Sequence, residues 1–237
     1  MNNKITYVFL ILIMSGWINA SYAQPPLNLS CAKSAIKAYY FAPKGKTSEY
    51  EKDVEIVTKR AEKFLHKRVA ENNKLAHPLK LAMILDIDDT SLSNYLANEK
   101  DDFSGVSDLI DARYRKEKSI VIPPTLHLFE EAIKSGVKVF FVSFRSDSFR
   151  THTMNNLKKA GYHNWEKIYL PNSTEINLPS RVYKTAVRKM ITKDLKYQII
   201  LNVGDQENDL VGGFAERTEK VPNPIYSSSP CTPQHCS

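Results

Sequence analysis

Four short stretches place reactive side chains directly after apolar runs or at the start of a helix. Asp86-Ile87-Asp88-Asp89-Thr90 follows Leu81–Leu85, and Ser143-Phe144-Arg145 follows Val137–Val142. Gly204-Asp205-Gln206-Glu207-Asn208-Asp209 follows Tyr197–Val203, and Lys184 stands near the start of the helical stretch Ser180–Lys193. Carboxylates brought together repel one another unless a proton or a cation lies between them, and hard oxygen ligands suit Mg²⁺. Taken singly, each piece has a bland reading. An Asp after a strand is a turn former or helix cap, Ser143 a cap, Gly204-Asp205 a turn, and Lys184 a surface lysine. The conjunction of the four is what points to a site.

The elements that must position these groups follow from the apolar pattern. Leu81–Leu85 is a continuous apolar run of strand length, as expected of a strand buried on both faces, and the largely apolar stretches Val137–Val142 and Tyr197–Val203 read as two more buried strands. Ile168–Leu170 reads as a further short strand. Helices are predicted over 123–135, opened by Pro123-Pro124 and ended by Gly136, over 147–160, closed by Gly161, and over 180–193. Strands alternating with such helices give β-α-β units, and so a doubly wound parallel α/β sheet. Residues 31–40 and 48–73 form an N-terminal helical extension, and a segment is inserted after the first strand that includes the polar, charged stretch Asp102–Ile120, of little strand character. In sheets of this kind the ligand lies beyond the carboxyl ends of the strands, which is where the four stretches fall.

The chain of 237 residues is 42% hydrophobic and 25% charged, enough apolar material for one domain with a real core. Its formal charge of +7 comes from basic residues interleaved with acids, a solvated basic surface without the run that a nucleic-acid polymer would require. Six histidines are scattered, and no Cys/His cluster has the spacing of a zinc module. Lys4, the apolar run from Ile5 to Ile18 and the small residues Ser21 and Ala23 read as a signal peptide over 1–23, with 24–237 as the mature domain. That run is short for a stable membrane anchor, so an exported protein, periplasmic or secreted, is expected. In an oxidising compartment Cys31, Cys231 and Cys236 suggest one disulfide with one thiol left over, of undetermined pairing.

The sequence resembles the haloacid dehalogenase (HAD) superfamily, and within it the acid phosphatases of subfamily IIIB, which include bacterial class B-type enzymes and plant vegetative storage proteins. Asp86-Ile87-Asp88-Asp89-Thr90 matches the superfamily's first motif, and Ser91-Leu92-Ser93-Asn94-Tyr95 extends it. Ser143 matches the second motif, Tyr183-Lys184-Thr185 the third and Gly204-Asp205-Gln206-x-x-Asp209-Leu210 the fourth. Lys220-Val221-Pro222-Asn223-Pro224-Ile225-Tyr226 has the subfamily's Pro-Asn-Pro tail.

The resemblance implies a Mg²⁺-dependent hydrolase of small phosphomonoesters. Asp86 would be the nucleophile, and Asp88 a general acid and then base, protonated at the start by like-charge crowding. The metal site would be formed by Asp86, Asp205 and the backbone carbonyl of Asp88, with Asp209 in support. Ser143, the backbone around Phe144 and Lys184 would hold the phosphate, and Thr90 would brace the first loop. The segment near 91–122 would be a small cap, in which Tyr95, Phe103 and Tyr114 either pack the cap itself, the favoured reading, or stack on a substrate. Two positions depart from the family pattern: Phe144 stands where Gly is common after the motif-two Ser or Thr, and Glu207-Asn208 where Trp-Ser is frequent. A non-enzymatic storage or binding protein on the same scaffold is the alternative, against which an intact Asp86 argues.

Overall fold

The computed structural model describes residues 28–228. The expected signal peptide, Cys231 and Cys236 lie outside the described residues. Cys31 sits exposed on α1 (Leu29–Tyr40).

Five strands form one parallel sheet, β1 (Lys80–Leu85), β4 (Lys138–Val142), β5 (Lys167–Tyr169), β6 (Tyr197–Gly204) and β7 (Arg217–Lys220), in the order β5-β4-β1-β6-β7. Because successive side chains on a strand point to opposite faces, the apolar runs divide between two cores. Leu81, Met83 and Leu85 of β1, with Val139 and Phe141 of β4, face α2 (Glu49–Asn72) and α5 (Pro123–Lys134) through Ala61, Leu65, Leu128 and Phe129. Ala82 and Ile84, with Phe140 and Val142, face α7 (Ser180–Lys193) through Tyr183, Val187 and Ile191. Both faces are dry, which is why these strands read as largely apolar runs.

The chain leaves β1, crosses to β4 and β5, then returns to place β6 on the other side of β1. The order therefore reverses at β1, and a crevice opens at the carboxyl ends there. Between β1 and β4 the insertion forms a two-stranded antiparallel ribbon, β2 (Leu92–Ser93) with β3 (Ile120–Val121), enclosing α3 (Tyr95–Lys100) and α4 (Ser107–Lys116). Helix α1 clamps this insertion. Tyr40 of α1 stacks on Tyr95 of α3 with ring centroids 4.2 Å apart, and Lys33 pairs with Asp102 at 2.7 Å. Helix α2 opens on a capping box between Ser48 and Glu51, a start signal of the expected kind.

The predicted helix over 147–160 resolves into a 3₁₀ turn, Asp147–Phe149, followed by α6 (Arg150–Lys159). Strand β7 went unread because its sequence, Arg217-Thr218-Glu219-Lys220, carries no apolar run. It is held by its ladder with β6 and by the bidentate contact of Arg60 on α2 with Glu219.

Candidate active site

The ends of β1, β4 and β6 and the start of α7 meet beneath the insertion in a cavity of about 410 Å³. Asp86, Asp88, Ser143, Phe144, Lys184, Asp205 and Asp209, drawn from all four stretches, line it together. Thr90 does not line it, but buried beside it donates its hydroxyl proton to Asp205 Oδ1 at 3.2 Å.

Asp86 follows directly on β1. Its N–H donates to the Val203 carbonyl at 3.0 Å, and its own carbonyl accepts from the Ser91 hydroxyl at 2.6 Å. The backbone beneath the carboxylate is thus fixed to two neighbours. Lys184 Nζ donates to Asp86 Oδ1 and to Asp209 Oδ1, each at 2.5 Å. Although burial alone would strip the ammonium of its proton, these two carboxylates hold it charged. Burial pushes the Asp86 carboxyl up to about 7, against the pull of Lys184 and with the push of Asp209 and Asp88. Burial, then the charges of Asp86 and Asp209, drives Asp205 upward as well.

The carboxylates of Asp86, Asp205 and Asp209 offer oxygen atoms within 4.8 Å of one another. Three carboxylates and one ammonium leave a net charge of −2 when all are ionised. A divalent cation balances that charge, and an all-oxygen donor set fits a hard ion of the Mg²⁺ type. Asp209 reaches this cluster because residue 204 is glycine. A Cβ on Gly204 would stand 2.4 Å from Asp209 Cβ and 2.5 Å from its Oδ2. Buried Arg188 ties the loop down, donating to the Asp209 carbonyl at 2.6 Å, where Asn202 also donates at 2.9 Å.

Asp88 departs from expectation in its charge state. Its carboxylate lies outside the cluster, as a role for its backbone carbonyl alone implies, and accepts a fork from Arg145 (Nε to Oδ2 at 2.8 Å, Nη2 to Oδ1 at 2.7 Å) and a bond from Asn94 at 2.6 Å. Burial works to protonate it, but the Arg145 charge and these hydrogen bonds hold it below the usual carboxylate range. Like-charge crowding therefore falls on Asp86 and Asp205, and not on Asp88. Arg145 is itself buried, its guanidinium 4.2 Å from the centre of the Tyr114 ring.

Sequence reasoning saw Arg145 but gave it no role. The signal lay in the parallel register: Leu85 is paired with Phe141, so Asp88 and Arg145 are three and four residues past one rung. Asp89 was also passed over. It occupies the left-handed region (φ 53°), which Asp tolerates better than most residues, and accepts from the Asn94 N–H at 2.8 Å and the Tyr226 hydroxyl at 2.9 Å. The Pro-Asn-Pro tail thus folds against the site, where Asn223 also donates to Asp205 Oδ2 at 2.6 Å.

Phe103 and Tyr114 line the cavity, whereas Tyr95 is spent on the stack with Tyr40 and does not. The half-buried Phe144 ring lines the cavity and packs 5.9 Å from the Tyr183 ring. Ser143 is buried at the end of β4, where its hydroxyl accepts from the Arg145 N–H at 3.3 Å.

The family described as HAD superfamily, subfamily IIIB (acid phosphatase), matches residues 27–229. The chain is 38% identical over 157 residues to the stem 28 kDa glycoprotein of Glycine max, a match covering 63% of this chain and 61% of that protein. It is 34% identical over 148 residues to acid phosphatase 1 of Solanum lycopersicum, covering 60% and 57%. Vegetative storage protein 1 of Arabidopsis thaliana is 31% identical over 206 residues, covering 84% and 73%. The chain thus spans somewhat less than two thirds of the length of the first two. In fold it is similar to a class C acid phosphatase from Bacillus anthracis, with a TM-score of 0.66 at 18% identity, over 84% of this chain and 87% of that one.

Proposed function

Since this chain belongs to the HAD superfamily, subfamily IIIB (acid phosphatase), we propose that it is a phosphomonoesterase that works through an aspartyl-phosphate on Asp86. The observation that carries this reading is the Asp86 carboxylate held by Lys184 on the wall of a cavity beside Asp205 and Asp209. A Mg²⁺ ion would be held by Asp86, Asp205 and the backbone carbonyl of Asp88, with Asp209 in support. When bound, it supplies positive charge against which the phosphoryl oxygens are oriented and neutralised.

Lys184 occupies Asp86 Oδ1, which leaves Oδ2 to attack phosphorus. A P–O(Asp86) bond forms as the P–O bond to the leaving group breaks, and Asp88 gives its proton to the departing alkoxide. Water then attacks phosphorus and passes a proton to Asp88, and the P–O(Asp86) bond breaks to release phosphate. The ionised state in which Arg145 holds Asp88 suits the second step. For the first, the anionic phosphoryl group competes for the guanidinium and its own charge raises the Asp88 carboxyl, so the acid forms when substrate is present. Ser143 and the backbone around Phe144 hold phosphoryl oxygens, and Lys184 balances charge on the group in transfer.

A cavity of about 410 Å³ suits a small phosphomonoester and not a polymer. The rival reading, a storage protein, is favoured by the name of the Arabidopsis relative; an intact Asp86–Lys184 pair favours the enzyme. Export through the signal peptide at 1–23, and one disulfide involving Cys231 or Cys236, belong to the same proposal.

The test is hydrolysis of a chromogenic phosphomonoester. Turnover should vanish with a chelator and return with Mg²⁺. Unchanged turnover in metal-stripped protein would remove Asp205 from its role, and no turnover under any divalent cation would leave the storage reading.

A further inference from the structure

Away from the cavity, α2 and α5 bring together Glu62 and His66 from one helix with His127 and Glu131 from the other. Each pair is spaced i,i+4, so its members share one face of their helix. His66 Nε2 lies 3.5 Å from Glu62 Oε1 and 3.4 Å from Glu131 Oε2. His127 Nε2 lies 3.5 Å from the other Glu62 oxygen, Oε2. Ligand atoms of Glu62, His66 and Glu131 all fall within 4.8 Å of one another.

These separations are long for hydrogen bonds, which run at about 2.7–3.2 Å. The two measured from His66 match the edge of a coordination tetrahedron, because ligand bonds of ~2.0–2.1 Å to Zn²⁺ place neighbouring donors ~3.3–3.4 Å apart. Lys134 takes Glu131 Oε1 at 3.2 Å and leaves Oε2 toward His66. The His127 side chain, 60% exposed, borders these three against Glu62 Oε2, which makes it the nearest candidate for a fourth ligand.

We propose that Glu62, His66 and Glu131, completed by His127, form a second metal site that takes a Zn²⁺-class divalent ion and pins α2 to α5. Two carboxylates and two neutral imidazoles balance the ion's charge. Imidazole nitrogen favours zinc-type ions over Mg²⁺, whereas the all-oxygen cluster in the cavity has the opposite preference, so the two sites sort cations by chemistry. Both helices cover the same face of the sheet, and an ion bound only in the folded state stabilises that packing.

The experiment titrates Zn²⁺ into protein kept in excess Mg²⁺, against a competing chromogenic chelator, and follows thermal unfolding in parallel. One tight equivalent is expected, with Tm rising by about 5–11 °C at a hundredfold excess over Kd. His66→Ala should lose the equivalent and His127→Ala should weaken it by about an order of magnitude, both with basal turnover intact. Co²⁺ in the same site should give the intense visible bands of tetrahedral coordination. The tail offers thiol and imidazole ligands of its own, so a Cys231→Ser/His235→Ala/Cys236→Ser variant is titrated as well and should keep the equivalent. No binding in the parent protein, binding that survives His66→Ala, or binding lost with the tail substitutions would each overturn the proposal.

Discussion

Replacing Asp86 with Asn should abolish turnover and, in chelator, make the protein more stable. Burial raises the Asp86 carboxyl from 3.8 to about 7. Between about pH 4 and pH 7 the folded protein therefore keeps a proton that the unfolded chain has released. The folded state binding more protons means that stability falls as pH rises through this window and is lowest above it. An ionised carboxylate with that displacement costs ~4 kcal/mol in the fold, and an amide carries no such cost. Allowing for relaxation around the charge, Asp86→Asn should gain about 2–4 kcal/mol at pH 8, or ~4–16 °C in Tm, and close to nothing at pH 4. Turnover should fall by about three orders of magnitude or more, because an amide does not attack phosphorus. The assay is thermal unfolding of both proteins in chelator at the two pH values, with chromogenic turnover in Mg²⁺. Mg²⁺ should then raise the Tm of the parent and leave the variant almost unmoved. A variant less stable than its parent at pH 8, or a difference that does not change with pH, would refute the assignment of this charge. Retained turnover would refute the nucleophile.

Asp88→Asn should slow hydrolysis most for alkyl phosphates, whose leaving groups need a proton, and least for activated aryl esters; equal losses on both in steady-state kinetics would remove the acid role. Gly204→Ala should cost about 1–3 kcal/mol and much of the turnover, because its Cβ would fall 2.4 Å from Asp209 Cβ; an unchanged Tm would show that the loop yields freely. Phe144→Gly should lower the preference for aryl or nucleoside phosphates over small alkyl phosphates by about two- to tenfold, the worth of one aromatic contact, while catalysis survives. An unchanged substrate ranking with a large loss of Tm would place that ring in the core beside Tyr183.

The strands that carry Asp86, Ser143 and Asp205 were legible because both faces of the sheet are dry, so each strand is dominated by apolar residues and ends abruptly in polar ones. The same logic hid β7, whose Arg217-Thr218-Glu219-Lys220 is held by ladder bonds and by Arg60. The ribbon of β2 and β3 was equally silent, since two residues a side are too few for any period to appear.

The deeper gap concerns partners rather than elements. The reactive residues can be listed from the termini of apolar runs, but which carboxylate meets which cation depends on strand register and helix packing. Asp88 and Arg145, fifty-seven residues apart, meet because Leu85 and Phe141 share a rung of the ladder. That contact holds Asp88 ionised where local crowding would protonate it, while burial raises Asp86. Glu62, His66, His127 and Glu131 meet for a comparable reason. An i,i+4 pair on one helix is unremarkable, and no linear spacing announces that a second such pair lies against it. Residue types therefore bound the chemistry of this chain, while pairing across the sheet and between α2 and α5 decides where each charge is held.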